Sequence, residues 1–209
     1  MNPALQELLL GIGLASAFVA GLLSSRNTAP RGVHSVPVLT LACFIVIAGF
    51  SITQLAFNPA LLPLLMRDAA FVHSGQAWRL LTSLLVQDGG WAGAGFNLVG
   101  LLAIGALAER LLGRLRWATI AVISVATAQS AALFWQPVGA GNSILDFGLA
   151  GAAVATSFMI RPAGRALVPA LVASACFLIL LLARDIHGAA ATTGALVACV
   201  FRLTNREHV

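Results

Sequence analysis

Lysine is absent from this sequence, and charge of either sign is scarce. Only 9% of residues are charged, against about 25% in an ordinary soluble domain. The scarcity excludes a water-soluble fold. Apolar residues make up 59% of the 209-residue chain and its mean hydropathy is +0.95, so too few charges are present to cover such a chain in water. An integral membrane protein is expected, with the lipid bilayer as its surroundings. Cysteine is also scarce. Cys43, Cys176 and Cys199 lie apart in apolar runs, with no CxxC pair and no histidine at metal-ligand spacing. They read as small buried hydrophobes, and neither a disulfide, a metal nor a cofactor is expected. The net charge of +5 comes from twelve arginines that sit between apolar segments, as membrane topology requires, so no nucleic-acid partner is expected.

A spanning helix needs about 20 mainly apolar residues. Seven segments approach that length: 5–24, 36–57, 92–112, 117–136, 143–160, 165–183 and 187–203. An all-α, polytopic helical bundle follows. The stretch from Asn58 to Val86 is broken by Pro59, Pro63, Arg67, Asp68, His73 and Gly75, and reads as part of a long external loop, 58–91, with short interfacial pieces. Trp78 and Trp91 suit interface anchoring there. With the 25–35 loop in the cytoplasm, Arg26, Arg31, Arg110, Arg114, Arg116, Arg161, Arg165, Arg202 and Arg206 all fall inside. Arg67, Arg79 and Arg184 fall outside. The N-terminus is then external and the 204–209 tail cytoplasmic. The first segment lacks the charged flank of a cleaved signal peptide. Arginine-only basicity and abundant alanine suggest a GC-rich bacterial genome, and hence a multi-pass protein of the plasma membrane.

Polar groups inside a bilayer are costly and ask for a reason. Glu109 and Arg110 read as the cap and anchor of a helix end. Asn97 lies early in the third segment, Ser143 opens the fifth, and His187 opens the seventh behind Arg184 and Asp185. The N-terminal ends of these segments share the outer side, so the three side chains can meet at similar depth. A serine hydroxyl becomes nucleophilic when an imidazole within about 3 Å removes its proton. An asparagine amide with a backbone N–H can hold the oxyanion that follows. Gly139 and Gly141 would let the preceding loop approach a reacting carbonyl. The ordinary alternative stands beside this: serines in membrane helices usually bond their own helix, as expected of Ser124, Ser130, Ser157 and Ser174, and a lone histidine is often structural. Spacing leaves both open.

Five pieces of sequence, in order between Gln76 and Gly194, resemble the rhomboid intramembrane serine proteases. Gln76-Ala77-Trp78-Arg79 is similar to the family's Trp-Arg motif in the long first loop. Phe96-Asn97-Leu98 follows, then Gly105-Ala106-Leu107-Ala108-Glu109-Arg110, which resembles GxxxE-[RK]. The run from Gly141 through Asn142, Ser143, Asp146 and Phe147 to Gly148-Leu149-Ala150-Gly151-Ala152 is similar to GxSGxxxGLxGA. His187 with Ala190 and Gly194 resembles His-x-x-Gly-x-x-x-Gly. A register placing Gly141 at the serine position is disfavoured, because the distance from Ser143 to Gly148-Leu149-x-Gly151-Ala152 fits without a gap. The resemblance implies a rhomboid-like six-helix core over 36–203, preceded by an extra N-terminal transmembrane helix and loop within 1–35. It implies Ser143 and His187 as catalytic residues and Asn97 as an oxyanion donor. Gly141, Phe147, Trp78 and Arg79 would support them, Phe147 by packing on the imidazole. Gly148 and Gly151, facing Gly188, Ala190 and Gly194, would let two helices approach closely enough to join Ser143 to His187.

The chain also departs from that pattern. Gly93 stands where the family has an oxyanion-binding histidine, Ile144 where a glycine follows the serine, and Ala190 where a glycine follows the histidine. Gln87-Asp88-Gly89-Gly90 lacks the histidine that many members carry. Asn142 and Gln87 are candidate substitute donors. Asp146, three residues past the serine, could disfavour the oxyanion if ionised or donate a hydrogen bond if neutral. Two functions therefore remain: an endopeptidase cleaving transmembrane segments of single-pass membrane proteins through a Ser-His dyad, or a pseudoprotease that binds such proteins as clients.

Overall fold

A computed structural model describes residues 1–28, 36–160 and 164–204. Arg31, Arg161 and Arg206, with most of the expected 25–35 loop and of the 204–209 tail, lie outside the described residues. The chain is a polytopic helical bundle. Six helical stretches are long and apolar enough to cross a membrane: Pro3–Ser25, Val38–Phe57, Gly90–Leu112, Arg114–Trp135, Gly164–Leu182 and Ile186–Thr204.

In chain order the helices are α1 (Pro3–Thr28), α2 (Val38–Ile52), short α3 (Leu61–Leu65), α4 (Ala69–His73) and α5 (Arg79–Thr82), α6 (Gly90–Gly100), α7 (Ala106–Leu112), α8 (Arg114–Trp135), α9 (Ser143–Met159), α10 (Gly164–Leu182) and α11 (Ile186–Thr204). π-helical turns at Thr53–Phe57 and Leu101–Gly105 extend α2 and join α6 to α7. Periodicity of apolar residues cannot distinguish such turns from α-helix.

The fifth expected span, α9, differs from the others. It has 17 residues, so it is about 25 Å long against a hydrocarbon core of about 30 Å. Every residue from Ile144 to Ala155 is buried. The helix is enclosed by its neighbours.

Helix α9 pairs most extensively with α11. A Cβ at Gly151 would collide with the Ala191 carbonyl, and one at Gly194 with the Gly148 carbonyl, so these backbones touch directly. Gly188 acts elsewhere than expected. Its missing Cβ makes room for the backbone of Leu181, so it seats α11 on the end of α10 rather than on α9.

Glu109, buried near the end of α7, accepts hydrogen bonds from the backbone N–H of Leu39 (3.1 Å) and Thr40 (2.9 Å) and from the Thr40 hydroxyl (2.8 Å). The end that it caps belongs to α2, which satisfies orphan donors there.

The 58–91 segment contains three short helices and a strand the sequence did not announce. Arg67–Asp68 (β1) pairs antiparallel with Val138–Gly139 (β2), tying this loop to the chain just before Ser143.

Candidate functional site

Four helices, α1, α6, α9 and α11, and the loops between them converge on a cavity of about 380 Å³ lined by Ser143, His187, Asn97, Gly93 and Ile144 among others. The Ser143 hydroxyl lies 2.8 Å from His187 Nε2. Phe147, one turn into α9, meets the imidazole edge to face with ring centroids 5.0 Å apart.

The chain before α9 is fixed from several directions. Gly141 has φ 130°, a conformation that side chains rarely adopt, and its N–H donates to the Ser83 carbonyl at 2.8 Å. A Cβ there would lie 2.9 Å from Asn97 Nδ2 and 3.9 Å from Ser143 Oγ. The Asn97 amide and the Ser143 hydroxyl therefore both border the space that a side chain at Gly141 would take. The Ala140 N–H donates to Asp88 Oδ2 at 2.8 Å. Arg67 is almost fully buried and donates to Gln129 Oε1 (2.7 Å) and the Gln136 carbonyl (2.9 Å). Burial lowers its guanidinium from the ordinary value, partly offset by nearby Asp88.

Arg79, also buried, donates to Gln76 Oε1 (2.7 Å) and to the carbonyls of Pro63 (2.9 Å) and Met66 (3.0 Å). It stacks on Phe71 and on half-exposed Trp78. These two motif residues hold the 58–91 segment together and do not line the cavity.

Asn142 and Gln87 are corrected as candidate oxyanion donors. Gln87 Nε2 donates to Asn142 Oδ1 (3.0 Å) and Ser51 Oγ (3.3 Å). Asn142 Nδ2 donates to the Asn97 carbonyl (3.2 Å) and to Asp146 Oδ2 (3.1 Å). Both amides are spent inside a buried network that also receives one hydrogen of Asn97, from Nδ2 to Gln87 Oε1 at 2.7 Å. Gln54 completes it by bonding both backbone groups of Gln87. The Asp146 carboxyl accepts from Asn142 and lies against Gly100 of α6. Ser130, Ser157 and Ser174 each donate 2.8 Å to the carbonyl four residues back, the ordinary behaviour of helix serines.

The sequence reading passed over Asp185. Its Oδ1 accepts from the His187 backbone N–H at 2.8 Å and lies 2.6 Å from His187 Nδ1. Its Oδ2 accepts from Gln6 Nε2 of α1 at 2.6 Å. Burial works to raise this carboxyl, but the hydrogen bonds and charge of His187 with the Gln6 bond outweigh it, leaving it below its ordinary value. A carboxylate can only accept, so a neutral imidazole bonded to Asp185 keeps its proton on Nδ1 and turns an accepting Nε2 to Ser143. An aspartate just ahead of a helix is a recognisable cap signal, whereas nothing local ties Gln6 to it. Among the described residues no group of three or more His, Cys, Asp or Glu is placed to hold a metal ion.

A family model described as Rhomboid domain matches residues 74–205, which contain Asn97, Ser143 and His187 and every helix from α5 onward. No individual curated protein matches the chain. With more than half of the sequence inside that match, in a multi-pass helical bundle, the chain belongs to the rhomboid family.

Proposed function

We propose that the protein is an intramembrane serine endopeptidase whose nucleophile is Ser143. The observation carrying this reading is the 2.8 Å approach of the Ser143 hydroxyl to His187 Nε2. His187 takes the hydroxyl proton as Oγ bonds to the carbonyl carbon of a peptide in a partner's transmembrane segment. The carbonyl oxygen becomes an oxyanion over Gly141, held by the second amide hydrogen of Asn97 and the Ser143 backbone N–H. Collapse breaks the C–N bond, and the leaving amine takes the proton from His187. Water, deprotonated by His187, then releases the acyl group from Ser143.

Single-pass membrane proteins are the substrates in this reading. In this reading the cavity opens on the outer side of a bacterial plasma membrane, with the N-terminus outside and the C-terminus in the cytoplasm, and the arginine distribution supports that orientation.

A client-binding pseudoprotease is the second reading, favoured by one observation. The cavity wall at Gly93 is bare, with nothing within 4 Å of where a Cβ would stand, so no second side-chain donor replaces the family's histidine.

Fluorophosphonate labelling of the purified protein in lipid tests the choice, because the probe reacts with an activated serine and spares ordinary ones. Labelling that disappears in Ser143→Ala and in His187→Ala is the expected result. A well-folded wild type that neither labels nor cleaves a model transmembrane substrate overturns the protease in favour of client binding.

A further inference from the structure

Helix α1 precedes the region matched by the family model, yet one of its side chains is joined to His187 through a single carboxylate. We propose that Asp185 and Gln6 are positioning residues for His187, which makes α1 part of the catalytic apparatus. The proposal rests on the reading of Ser143 and His187 as nucleophile and base.

Capping of α11 accounts for only one of the three contacts of the Asp185 carboxylate. A cap needs only the bond from the His187 backbone N–H to Oδ1. The contact of that oxygen with Nδ1 is additional, and it decides which nitrogen keeps the proton. Without the carboxylate, neutral imidazole is free to place its proton on Nε2, where it could not accept from Ser143. The turn is built to deliver this contact. Arg184 adopts φ 58°, and the Asp185 N–H returns to the Leu180 carbonyl at 2.9 Å, closing α10 and aiming the carboxylate at the ring that follows.

Gln6 then fixes the carboxylate. Asp185 is 2% exposed, and among the described residues Gln6 supplies the one hydrogen bond that Oδ2 receives from a side chain of another helix. Removing it leaves a buried anionic oxygen without a partner. Gln6 is held by a helix packed into the bundle rather than laid on it. Ala17 and Ala20 are fully buried, and a Cβ at Gly21 would lie 2.7 Å from Leu107 of α7. Glu7 and Leu10, which follow Gln6 on α1, line the cavity itself.

The test uses the full chain in lipid, with two readouts: kcat on a model transmembrane substrate, and the imidazole proton spectrum of His187. In Asp185→Asn the side chain can still cap α11, but its amide can donate to Nδ1 and stabilise the wrong tautomer. Its kcat should fall about 10²- to 10⁴-fold with thermal stability largely kept. Gln6→Leu should lose about tenfold. A strongly deshielded Nδ1 proton should be present in wild type and in Ser143→Ala, absent in Asp185→Asn and displaced in Gln6→Leu. If both variants cleave at the wild-type rate while Ser143→Ala is dead, the relay is overturned and the protease reading stands. If the Nδ1 resonance is unchanged in Asp185→Asn, the relay is overturned whatever the activity. A wild type that neither labels nor cleaves overturns both.

Discussion

Asn97 gives one amide hydrogen to Gln87, and the proposed mechanism assigns the other to the oxyanion beside Gly141. That division gives the residue two separable effects. As an oxyanion donor it should contribute about 3 kcal/mol at the transition state, so Asn97→Ala should slow cleavage about 10²- to 10³-fold at normal expression. A purely structural Asn97 would instead show as lost yield with kcat intact, and purification yield beside kcat separates the two. Asp185 makes a second residue-scale prediction. Its carboxyl lies below the ordinary value of 3.8 in the folded protein, so its ionisation stabilises the fold at any pH above that value. The contribution is lost as pH falls from 3.8 through the lower folded value. The gap in thermal stability between wild type and Asp185→Asn should therefore close on acidification through that window. A gap that is the same at pH 6 and at pH 3 would contradict it. At this scale the sequence marks Ser143, His187 and Asn97, because polar residues in apolar helices are conspicuous. It does not disclose that the Gln87 and Asn142 amides are spent on each other, since that depends on which side chains meet.

Helices carry the next level of the argument. The closeness of α9 and α11 is what sets Ser143 against His187, and it depends on missing side chains. Gly151→Leu would drive a side chain into the Ala191 carbonyl and should cost about 3 kcal/mol or more, through backbone displacement. Unchanged thermal stability would argue against this pairing. Gly93→Ala is the matching control, since its side chain would enter open space and stability should hold. Small residues on both helices, Gly148 and Gly151 opposite Ala190 and Gly194, made the α9–α11 contact readable from sequence. Gly188 was misassigned because the same absence of a Cβ serves whichever neighbour arrives, and here that neighbour is α10. The β1–β2 pairing and the π turns left no trace, being too short to generate a period.

Across the whole molecule, the described arginines sort by end. Arg110, Arg114 and Arg116 cluster where α7 meets α8, and Arg116 faces Phe201 near the end of α11. Arg67 and Arg79 lie in the segment that frames the cavity, and Arg184 beside the turn that carries Asp185. With the first group cytoplasmic, Ser74→Cys should react with a membrane-impermeant maleimide on intact cells, and Arg114→Cys only after permeabilisation. The reverse pattern would invert the proposed orientation.

The sequence by itself determined that the chain lies in a membrane, where its helices run and which three polar residues demand a reason, because hydropathy and spacing are local properties. Tertiary structure alone decided that Asp185 holds the imidazole, that Gln6 holds Asp185 across 179 positions of chain, and that Arg67 and Asp88 shape the loop before Ser143. A hydrogen bond between distant residues leaves no pattern along the chain. Folding creates it by bringing two buried polar groups together, where each would otherwise lack a partner.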